Sequence, residues 1–224
     1  MNISFEDWHC IDYGTALERQ HSIFTDTINK KLSGIDTTDI IVMCEHPHVI
    51  TLGQHGNANN LLLDIHSLRE RGIDFYNTDR GGDITYHGPG QLVVYPIIDI
   101  QHFGLGLKSY ISRLEEAVID LLATYNIIGS HVDGASGVWV DAGTCRERKI
   151  CAVGVRSSRY ITMHGIGLNV NTDLRYFKYI NPCGFVEKGV TSIRAEIGHE
   201  IDMDEVKAKL KEFLICRLRE VCTM

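Results

Sequence analysis

The chain has 224 residues, 44% of them hydrophobic and 23% charged, which is typical of a globular protein with a sizeable core. Its formal net charge of −7 argues against non-specific nucleic-acid binding as the main function, because that function needs a basic surface. We therefore expect one domain over residues 1–224 and no nucleic-acid partner.

Targeting signals and disulfides are not indicated. The first residues lack the basic region and apolar run of a signal peptide, and no apolar stretch reaches the length of a membrane helix. The seven cysteines are odd in number and include no CxxC pair, so a disulfide scaffold or zinc ribbon is not expected. These features predict a cytoplasmic protein with no membrane partner, in which most thiols are buried and Cys145, in a polar loop, is exposed.

Apolar periodicity predicts three amphipathic helices and a larger number of strands. In chain order the predicted elements are a helix at 13–32, strands at 40–44, 49–52, 75–79 and 91–98, a helix at 107–125, strands at 137–140, 149–156 and 161–171, and a helix at 204–221. A hairpin loop is expected at 143–148. Strands outnumber helices without strict alternation, which predicts an α+β fold with a mixed β-sheet core flanked by helices.

Nucleotide and metal sites are not indicated either. The chain contains no GxxxxGK[ST] P-loop, and the glycine pattern of GGDITYHGPG is not the GxGxxG of a dinucleotide site. His46 and His48 flank a proline in a predicted turn and, with His55, offer no helical i, i+4 pair of ligands. We expect no cofactor, no metal, and structural or surface roles for these histidines.

One cysteine stands in a setting suited to chemistry. Cys183 lies between a proline that fixes φ and a glycine that permits close approach, so the turn would hold its thiol in a fixed direction. A thiol becomes a nucleophile as the thiolate, and it therefore needs a cation or a base nearby. The candidate partners are Lys149, at the head of an apolar strand, and the histidines His87 and His164.

The glycine-rich stretch at 80–90, RGGDITYHGPG, predicts a pocket. Gly81 and Gly82 would let backbone amides approach a ligand, and Tyr86 and His87 would supply an aromatic wall and a polar group. Such a lining suits a long, thin, mostly apolar substrate with one polar end. The alternative is a bulged hairpin in which the glycines serve only tight packing.

Three motifs together resemble the lipoyl(octanoyl) transferases, which share the biotin/lipoate protein ligase-like fold. They are CEHPHVITLG, RGGDITYHGPGQLVVYPIIDI and HGIGLNVNTDL followed by INPCG, and the resemblance runs from about residue 45 to 194. His48 stands where the family more usually has a second proline. The resemblance implies transfer of an octanoyl group from acyl carrier protein to a lysine of lipoyl domains. The acceptors are the E2 subunits of 2-oxoacid dehydrogenases and the glycine cleavage H protein.

The resemblance also implies the roles of individual residues. Cys183 takes the position of the family's nucleophile, which carries the acyl group as a thioester, and Lys149 that of the lysine that assists it. The implied acyl pocket comprises Arg80, Gly81, Gly82, Asp83, Ile84, Thr85, Tyr86, His87, Ala152, Val153, Gly154, Gly165, Ile166 and Gly167.

Both proposed partners are acidic, as this chain is overall, so docking would require local positive charge. The sequence concentrates basic residues beside the implied site, namely Arg146, Arg148, Lys149, Arg156 and Arg159. An ordinary solvated hairpin explains the outer arginines equally well. The rival activities are an ATP-dependent lipoate-protein ligase of the same fold, a thioesterase, and a non-catalytic acyl- or carrier-binding module.

Overall fold

A computed structural model describes residues 3–181 and 189–220. Cys183, the predicted nucleophile, lies outside the described residues. The strands within them are β1 (Ile3–Cys10), β2 (Asp39–Glu45), β3 (Val49–Leu52), β4 (Asp74–Asn77), β5 (Ile84–His87), β6 (Gln91–Ile97), β7 (Gly129–Val132), β8 (Ala135–Val140), β9 (Arg148–Ser158), β10 (Ile161–Asn169) and β11 (Gly189–Val190). The helices are α1 (Tyr13–Leu32), α2 (Ile65–Arg69), α3 (Leu107–Ala123), α4 (Ile193–Ile197) and α5 (Met203–Arg219).

The main sheet is mixed, and the predicted α+β class is confirmed. Its strand order is β1-β2-β6-β10-β9-β8-β7, with β11 paired to β9 outside this path. The β1–β2 and β11–β9 pairs are parallel, and the other neighbours are antiparallel. A second sheet has the order β4-β3-β5 and carries the glycine-rich stretch on its β5 edge.

Helices cover both faces of the main sheet. The amphipathic faces of α3 and α5 pack on one face and form the largest apolar cluster, which includes Leu114, Leu121 and Leu210. Helix α1 packs on the opposite face through Ala16 and Phe24. The small sheet has a separate apolar cluster around Ile50 and Tyr86. This division leaves part of the α1 face of the main sheet uncovered by helix.

The predicted long elements are present, and the differences lie in short or exposed ones. The predicted strand at 161–171 ends at Asn169, because the Asn171 N–H instead donates to the carbonyl oxygen of Gly90. Strands β1 and β7 were not predicted, since they lie at the two edges of the sheet and most of their residues are partly or fully exposed. Strand β5 was not predicted either, because turn-forming glycines lie on both sides of it.

The thiols differ in part from the expectation. Cys44 and Cys151 are buried, whereas Cys10, Cys145 and Cys216 are exposed, so the prediction that most thiols are buried is wrong for the described cysteines. The exposure of Cys145 was predicted. None of the helices that the structure describes combines the length and the apolar character needed to cross a membrane.

A buried polar network ties the start of α1 to the main sheet. The His46 side chain is fully buried, and its Nδ1 lies 2.7 Å from the carbonyl oxygen of Ile11. Nδ1 therefore carries the proton, since a carbonyl oxygen can only accept. His46 Nε2 is then the acceptor, and the Tyr95 hydroxyl donates to it over 2.6 Å. Burial lowers the pKa of His46, which favours this neutral ring.

Replacing Tyr95 with Phe should lower the free energy of unfolding by about 1–3 kcal/mol, because His46 Nε2 would remain buried with only the weakly donating Cys44 thiol, 3.6 Å away. Urea unfolding followed by circular dichroism measures the change. The matched control is Tyr160→Phe, since that side chain is half exposed; it should cost less than about 0.5 kcal/mol. Equal costs for the two variants would contradict a stabilising role for the Tyr95–His46 hydrogen bond.

Candidate active site

A cleft opens on the α1 side of the main sheet and encloses about 980 Å³ of empty space, part of it continuous with solvent. Strands β6, β8, β9 and β10 form its floor, and β5 with residues 80–85 forms one wall. Among the predicted catalytic and pocket residues, those that line the cleft are Arg80, Gly82, Asp83, Ile84, Thr85, His87, Lys149, Ala152, Val153, Gly154, Gly165, Ile166 and Gly167.

Two predicted pocket residues do not line this cleft. The Gly81 N–H donates to the Val155 carbonyl oxygen over 2.9 Å, so the predicted approach of this amide to a ligand is wrong. The Tyr86 ring is fully buried in the apolar cluster of the small sheet, and its hydroxyl contacts His48 Nδ1 at 2.8 Å. Neither residue forms part of the cleft lining.

Two glycines outside the stretch, Gly53 and Gly154, allow neighbouring backbones to approach residues 80–82 closely. A Cβ on Gly53 would lie 2.4 Å from the Gly82 carbonyl oxygen, and one on Gly154 would lie 2.8 Å from the Gly81 carbonyl oxygen. Both separations are shorter than van der Waals contact allows. The 80–82 segment is therefore packed between the end of β3 and β9. Within the stretch, tight packing, the alternative considered above, applies at Gly81, where a Cβ would lie 3.1 Å from the Val155 carbonyl oxygen.

Lys149 lies at the more exposed end of the cleft. Its Nζ donates to the Ser136 carbonyl oxygen over 3.1 Å and lies 4.5 Å from the centre of the Trp139 ring. Carbonyl oxygens and aromatic faces both stabilise an ammonium group. Strand β11 runs beside this point, with Val190 opposite Lys149 in the pairing register. The described residue nearest to Cys183 on its C-terminal side, Gly189, also lines the cleft.

A buried carboxylate holds the strand that contacts Lys149. Glu115, on α3, accepts the Gly137 N–H at Oε1 over 2.6 Å, and its Oε2 lies 3.0 Å from His131 Nδ1. Gly137 has φ +110°, and a Cβ there would lie 2.3 Å from the Cys151 carbonyl oxygen. The β8–β9 register shifts just after this residue. Glu115 thus fixes the irregular stretch of β8 whose Ser136 carbonyl contacts Lys149.

His87 lies in the cleft with a defined tautomer. Gln91 Nε2 donates to the Tyr86 carbonyl oxygen and to Asn169 Oδ1, which leaves Gln91 Oε1 as an acceptor facing His87 Nδ1 at 2.6 Å. Nδ1 therefore carries the proton, and Nε2 holds a lone pair. Burial lowers the pKa of His87 to about 3, so the ring is neutral at physiological pH.

His164 reaches the cleft through an unusual backbone conformation. Its φ is +58°, which is rare for any residue other than glycine, and its Nε2 lies 2.7 Å from Asp79 Oδ1. The hydrogen bond from His164 holds the pKa of Asp79 down at about 2, and burial lowers the pKa of His164. The pair is therefore a neutral imidazole that donates to a carboxylate.

Several cleft residues were not singled out as site residues from the sequence. They are Tyr13, Gln91, Val93, Tyr95, Ser136, Trp139, Asn169, Phe177, Gly189 and Val190. Tyr13 is the first residue of α1 and Trp139 lies on an apolar strand, where both patterns predict ordinary core residues. Gln91 and Asn169 are polar residues within largely apolar predicted strands, and this was the one local sequence feature that could have indicated cleft residues.

The basic residues expected near the site differ in how closely they pair with carboxylates of the chain. Arg148 forms ion pairs with Asp141 and Glu196, and Arg156 contacts Asp79. The Arg146 side chain is 76% exposed and lies 3.8 Å from an Asp141 oxygen. The shared docking patch stays a prediction, and within it Arg148 and Arg156 already pair with carboxylates of this chain. Over 3–181 and 189–220 there is also no group of three or more His, Cys, Asp or Glu side chains placed to hold a metal ion.

Comparison with known protein families identifies the family of this chain. The lipoyl protein ligase A/B catalytic domain family matches residues 12–215. The chain belongs to this family. The predicted relationship is confirmed, and the family match spans the whole described cleft.

Individual relatives agree with this family. An octanoyltransferase of Bacteroides fragilis is 54% identical over 212 residues, which cover 95% of this chain and 96% of that protein. The octanoyltransferase of Bacteroides thetaiotaomicron is 55% identical over 205 residues, covering 92% and 90%. The bipartite lipoate protein ligase of Thermoplasma acidophilum superposes with a TM-score of 0.72 over 97% of this chain and 84% of that one. At 16% identity this last likeness shows the fold alone.

The hydrogen bond from the Gly137 N–H to Glu115 can be tested through its effect on the free energy of unfolding. Glu115→Ala should lower the free energy of unfolding by about 2–3 kcal/mol, because the Gly137 N–H would lose a charged acceptor. Glu115→Gln keeps an acceptor oxygen and should lose less. Urea unfolding gives these values, and amide exchange at Gly137 should accelerate in the alanine variant. Glu116→Ala, on the same helix but half-buried, is the control; a cost equal to that of Glu115→Ala would contradict the assignment.

The neutral state of His87 predicts that the free energy of unfolding depends on pH. Its pKa is lower in the folded than in the unfolded chain, so protons favour unfolding and stability falls as the pH drops below about 6.5. Between pH 7 and 5.5 the loss attributable to this residue is about 1 kcal/mol. Urea unfolding of the wild-type protein and of His87→Gln at both pH values isolates this loss of stability. Parallel pH dependences would show that His87 titrates normally in the folded protein.

Proposed function

We propose that this protein is an acyltransferase that moves an octanoyl group from octanoyl-acyl carrier protein to a specific lysine of lipoyl domains. The observation that carries the proposal is the 54% identity to a protein named octanoyltransferase over nearly the full length of both chains. The cleft supports it, because the Lys149 ammonium group lies at one end and Val93, Ala152 and several glycine residues line the space beyond it. Such a cleft suits a fatty acyl chain whose carbonyl lies near Lys149.

In the proposed first step, the Cys183 thiolate attacks the carbonyl carbon of the donor thioester. Lys149, as ammonium, stabilises the thiolate. The tetrahedral intermediate collapses with cleavage of the bond to the carrier's sulfur, and the carrier thiolate takes up a proton. The octanoyl group is then held on Cys183 as a thioester.

In the second step, the amine of the acceptor lysine attacks this thioester. The Cys183 sulfur leaves, and the amine gives up a proton as the amide forms. Lys149 is the proposed proton carrier, and His87 is the second candidate because its Nε2 holds a free lone pair. A thioester is converted into an amide, so the exchange runs downhill without ATP.

The proposed partners are octanoyl-acyl carrier protein as donor, and lipoyl domains of 2-oxoacid dehydrogenase E2 subunits and the glycine cleavage H protein as acceptors. Because the chain carries a net charge of −7, an acidic partner must approach at a locally basic place. Arg146, exposed beside the Lys149 end of the cleft, is a candidate contact. The proposed location is the cytoplasm, where these partners act.

The proposal is tested by intact-protein mass spectrometry after mixing the pure protein with octanoyl-acyl carrier protein, without ATP. We expect a mass gain of one octanoyl group on Cys183 that disappears when apo lipoyl domain is added. Cys183→Ser should abolish lipoyl-domain modification, since a hydroxyl with its higher pKa does not supply the nucleophile. Lys149→Met should slow acylation while leaving the fold intact.

The rival ATP-dependent ligase gives a different result in the same assay. No adduct without ATP, together with lipoyl-domain modification by octanoate and ATP, would move the chain to the ligase class. Release of free octanoate in the absence of acceptor, at the rate of transfer, would indicate a thioesterase. Unchanged transfer by Cys183→Ser would overturn the covalent mechanism.

A further inference from the structure

Lys149 reaches the cleft because strand β9 is bulged beside it. The β8–β9 pairing joins Val138 to Cys151 and Trp139 to Lys149, so Ile150 is an extra residue on β9. Ile150 and Cys151 both lie in the apolar cluster under α3 and α5, whereas Lys149 lines the cleft on the opposite face. In a regular strand Lys149 and Cys151 would share a face. The bulge therefore turns the lysine away from the core and toward the cleft.

A single peptide group lies between this lysine and a carboxylate. Lys149 Nζ donates to the Ser136 carbonyl oxygen over 3.1 Å, and the Gly137 N–H donates to Glu115 Oε1 over 2.6 Å. This carbonyl and this N–H belong to the same planar amide, because it joins Ser136 to Gly137. An ammonium at the oxygen and a carboxylate at the hydrogen polarise the amide in the same direction. Each hydrogen bond therefore strengthens the other.

The orientation of this amide depends on glycine. Gly137 has φ +110°, in a region that residues with a Cβ rarely adopt, and a Cβ there would collide with the Cys151 carbonyl oxygen. The preceding carbonyl, that of Ala135, accepts the Trp139 indole N–H over 3.2 Å, which anchors the chain on that side. The amide is thus held with its carbonyl directed to the cleft and its N–H directed to α3.

The two charges are close enough to act on each other. The two hydrogen-bond lengths and the size of an amide place Nζ of Lys149 and Oε1 of Glu115 at most about 8 Å apart. Both charges also act on the buried Cys151 thiol, whose pKa is raised by burial and by Glu115 and lowered by Lys149. The second carboxylate oxygen accepts from His131 Nδ1 over 3.0 Å, and the Glu115 side chain is only 10% exposed.

We propose that Glu115 is a positioning residue for Lys149, acting through the Ser136–Gly137 amide to hold the lysine at the cleft as an ammonium. The inference rests on the proposed acyl transfer, in which this ammonium stabilises the Cys183 thiolate, and it adds a residue on which that step depends. Over a separation of about 8 Å at a partly exposed site, one carboxylate charge raises the pH at which an ammonium loses its proton by about one unit.

The charge of Glu115 can be removed without removing its contacts. Glu115→Gln keeps an acceptor for the Gly137 N–H, and its amide N–H can donate to His131 Nδ1 when that ring takes its other tautomer. Trace labelling with acetic anhydride from about pH 7 to about pH 10, followed by peptide mass spectrometry, gives the pH midpoint at which the Lys149 amine becomes reactive. We expect this midpoint to fall by about one pH unit in Glu115→Gln. An unchanged midpoint would overturn the proposal.

The matched control lies on the same helix. Glu116 pairs with Arg113 instead of the Gly137 N–H, so the midpoint for Lys149 in Glu116→Gln should stay within about 0.3 units of wild type. The titratable groups that face Glu115 are His131 on β7 and Cys151 on β9. Because burial raises its pKa, Cys151 stays neutral over the labelling range. A drop in Glu116→Gln as large as that in Glu115→Gln would contradict a specific role for Glu115.

The same coupling can be measured from the lysine side. Lys149→Met removes the ammonium from the Ser136 carbonyl and leaves Glu115 in place, so the Gly137 N–H should be less polarised. In nuclear magnetic resonance spectra the Gly137 amide proton should then move upfield, whereas that of Gly72, in the turn after α2, should not move. An unmoved Gly137 resonance would overturn the proposal even if Glu115→Gln failed to fold.

Neither measurement requires octanoyl transfer, so the two proposals can fail separately. In a transfer assay, the alkaline limb of the kcat/KM profile should move to lower pH in Glu115→Gln by the same interval as the labelling midpoint. A purely structural role would instead lower kcat/KM equally at every pH. If the midpoint falls but the wild-type protein transfers no octanoyl group, the proposed function alone fails. If transfer is efficient and the midpoint does not move, the positioning role alone fails.

Discussion

The contact between residues 80–82 and strand β9 is the constraint on which the cleft depends. Here the small sheet meets the main sheet backbone to backbone, through the Gly81 N–H and the Val155 carbonyl oxygen. The separation is too short for a Cβ at Gly154 on β9, and on the other side of the segment a Cβ at Gly53 would collide with the Gly82 carbonyl oxygen. Because the backbones meet at this point, Arg80 lies over the floor strand and the cleft has an inner end.

Two sets of buried or partly buried polar groups then give the cleft its chemistry. Glu115 reaches from α3 through the sheet edge to fix the β8 irregularity that contacts Lys149, and Asp79 fixes His164 at the inner end. Isolated buried charges are costly, so each is stable only because its partners are in place. Departures from local rules, a positive φ at His164 and a tight bulge at Gly137, occur where the cleft needs them.

The sequence predicted the long elements well because their signal is local. The helix Tyr13–Leu32 follows from apolar spacing, and its predicted bounds match. The motifs also indicated most of the cleft wall. What the sequence could not supply were contacts between distant residues: the bond from Glu115 to Gly137, or the role of Gly81, whose amide meets β9 instead of a ligand. The turn of His164 also escapes prediction, because regular strand alternation would have placed it differently.

The arrangement of both ends on one strand has a consequence for the geometry of the cleft. Lys149 and Val155, which lies opposite His164, are six residues apart on β9, so the extended strand holds their backbones about 20 Å apart. Strands in the middle of a sheet deform less than loops do, and such a distance is held more tightly than one set by a flexible segment. The Lys149 end and the His164 end of the cleft are then held apart by the main sheet itself, independently of the loops around the opening.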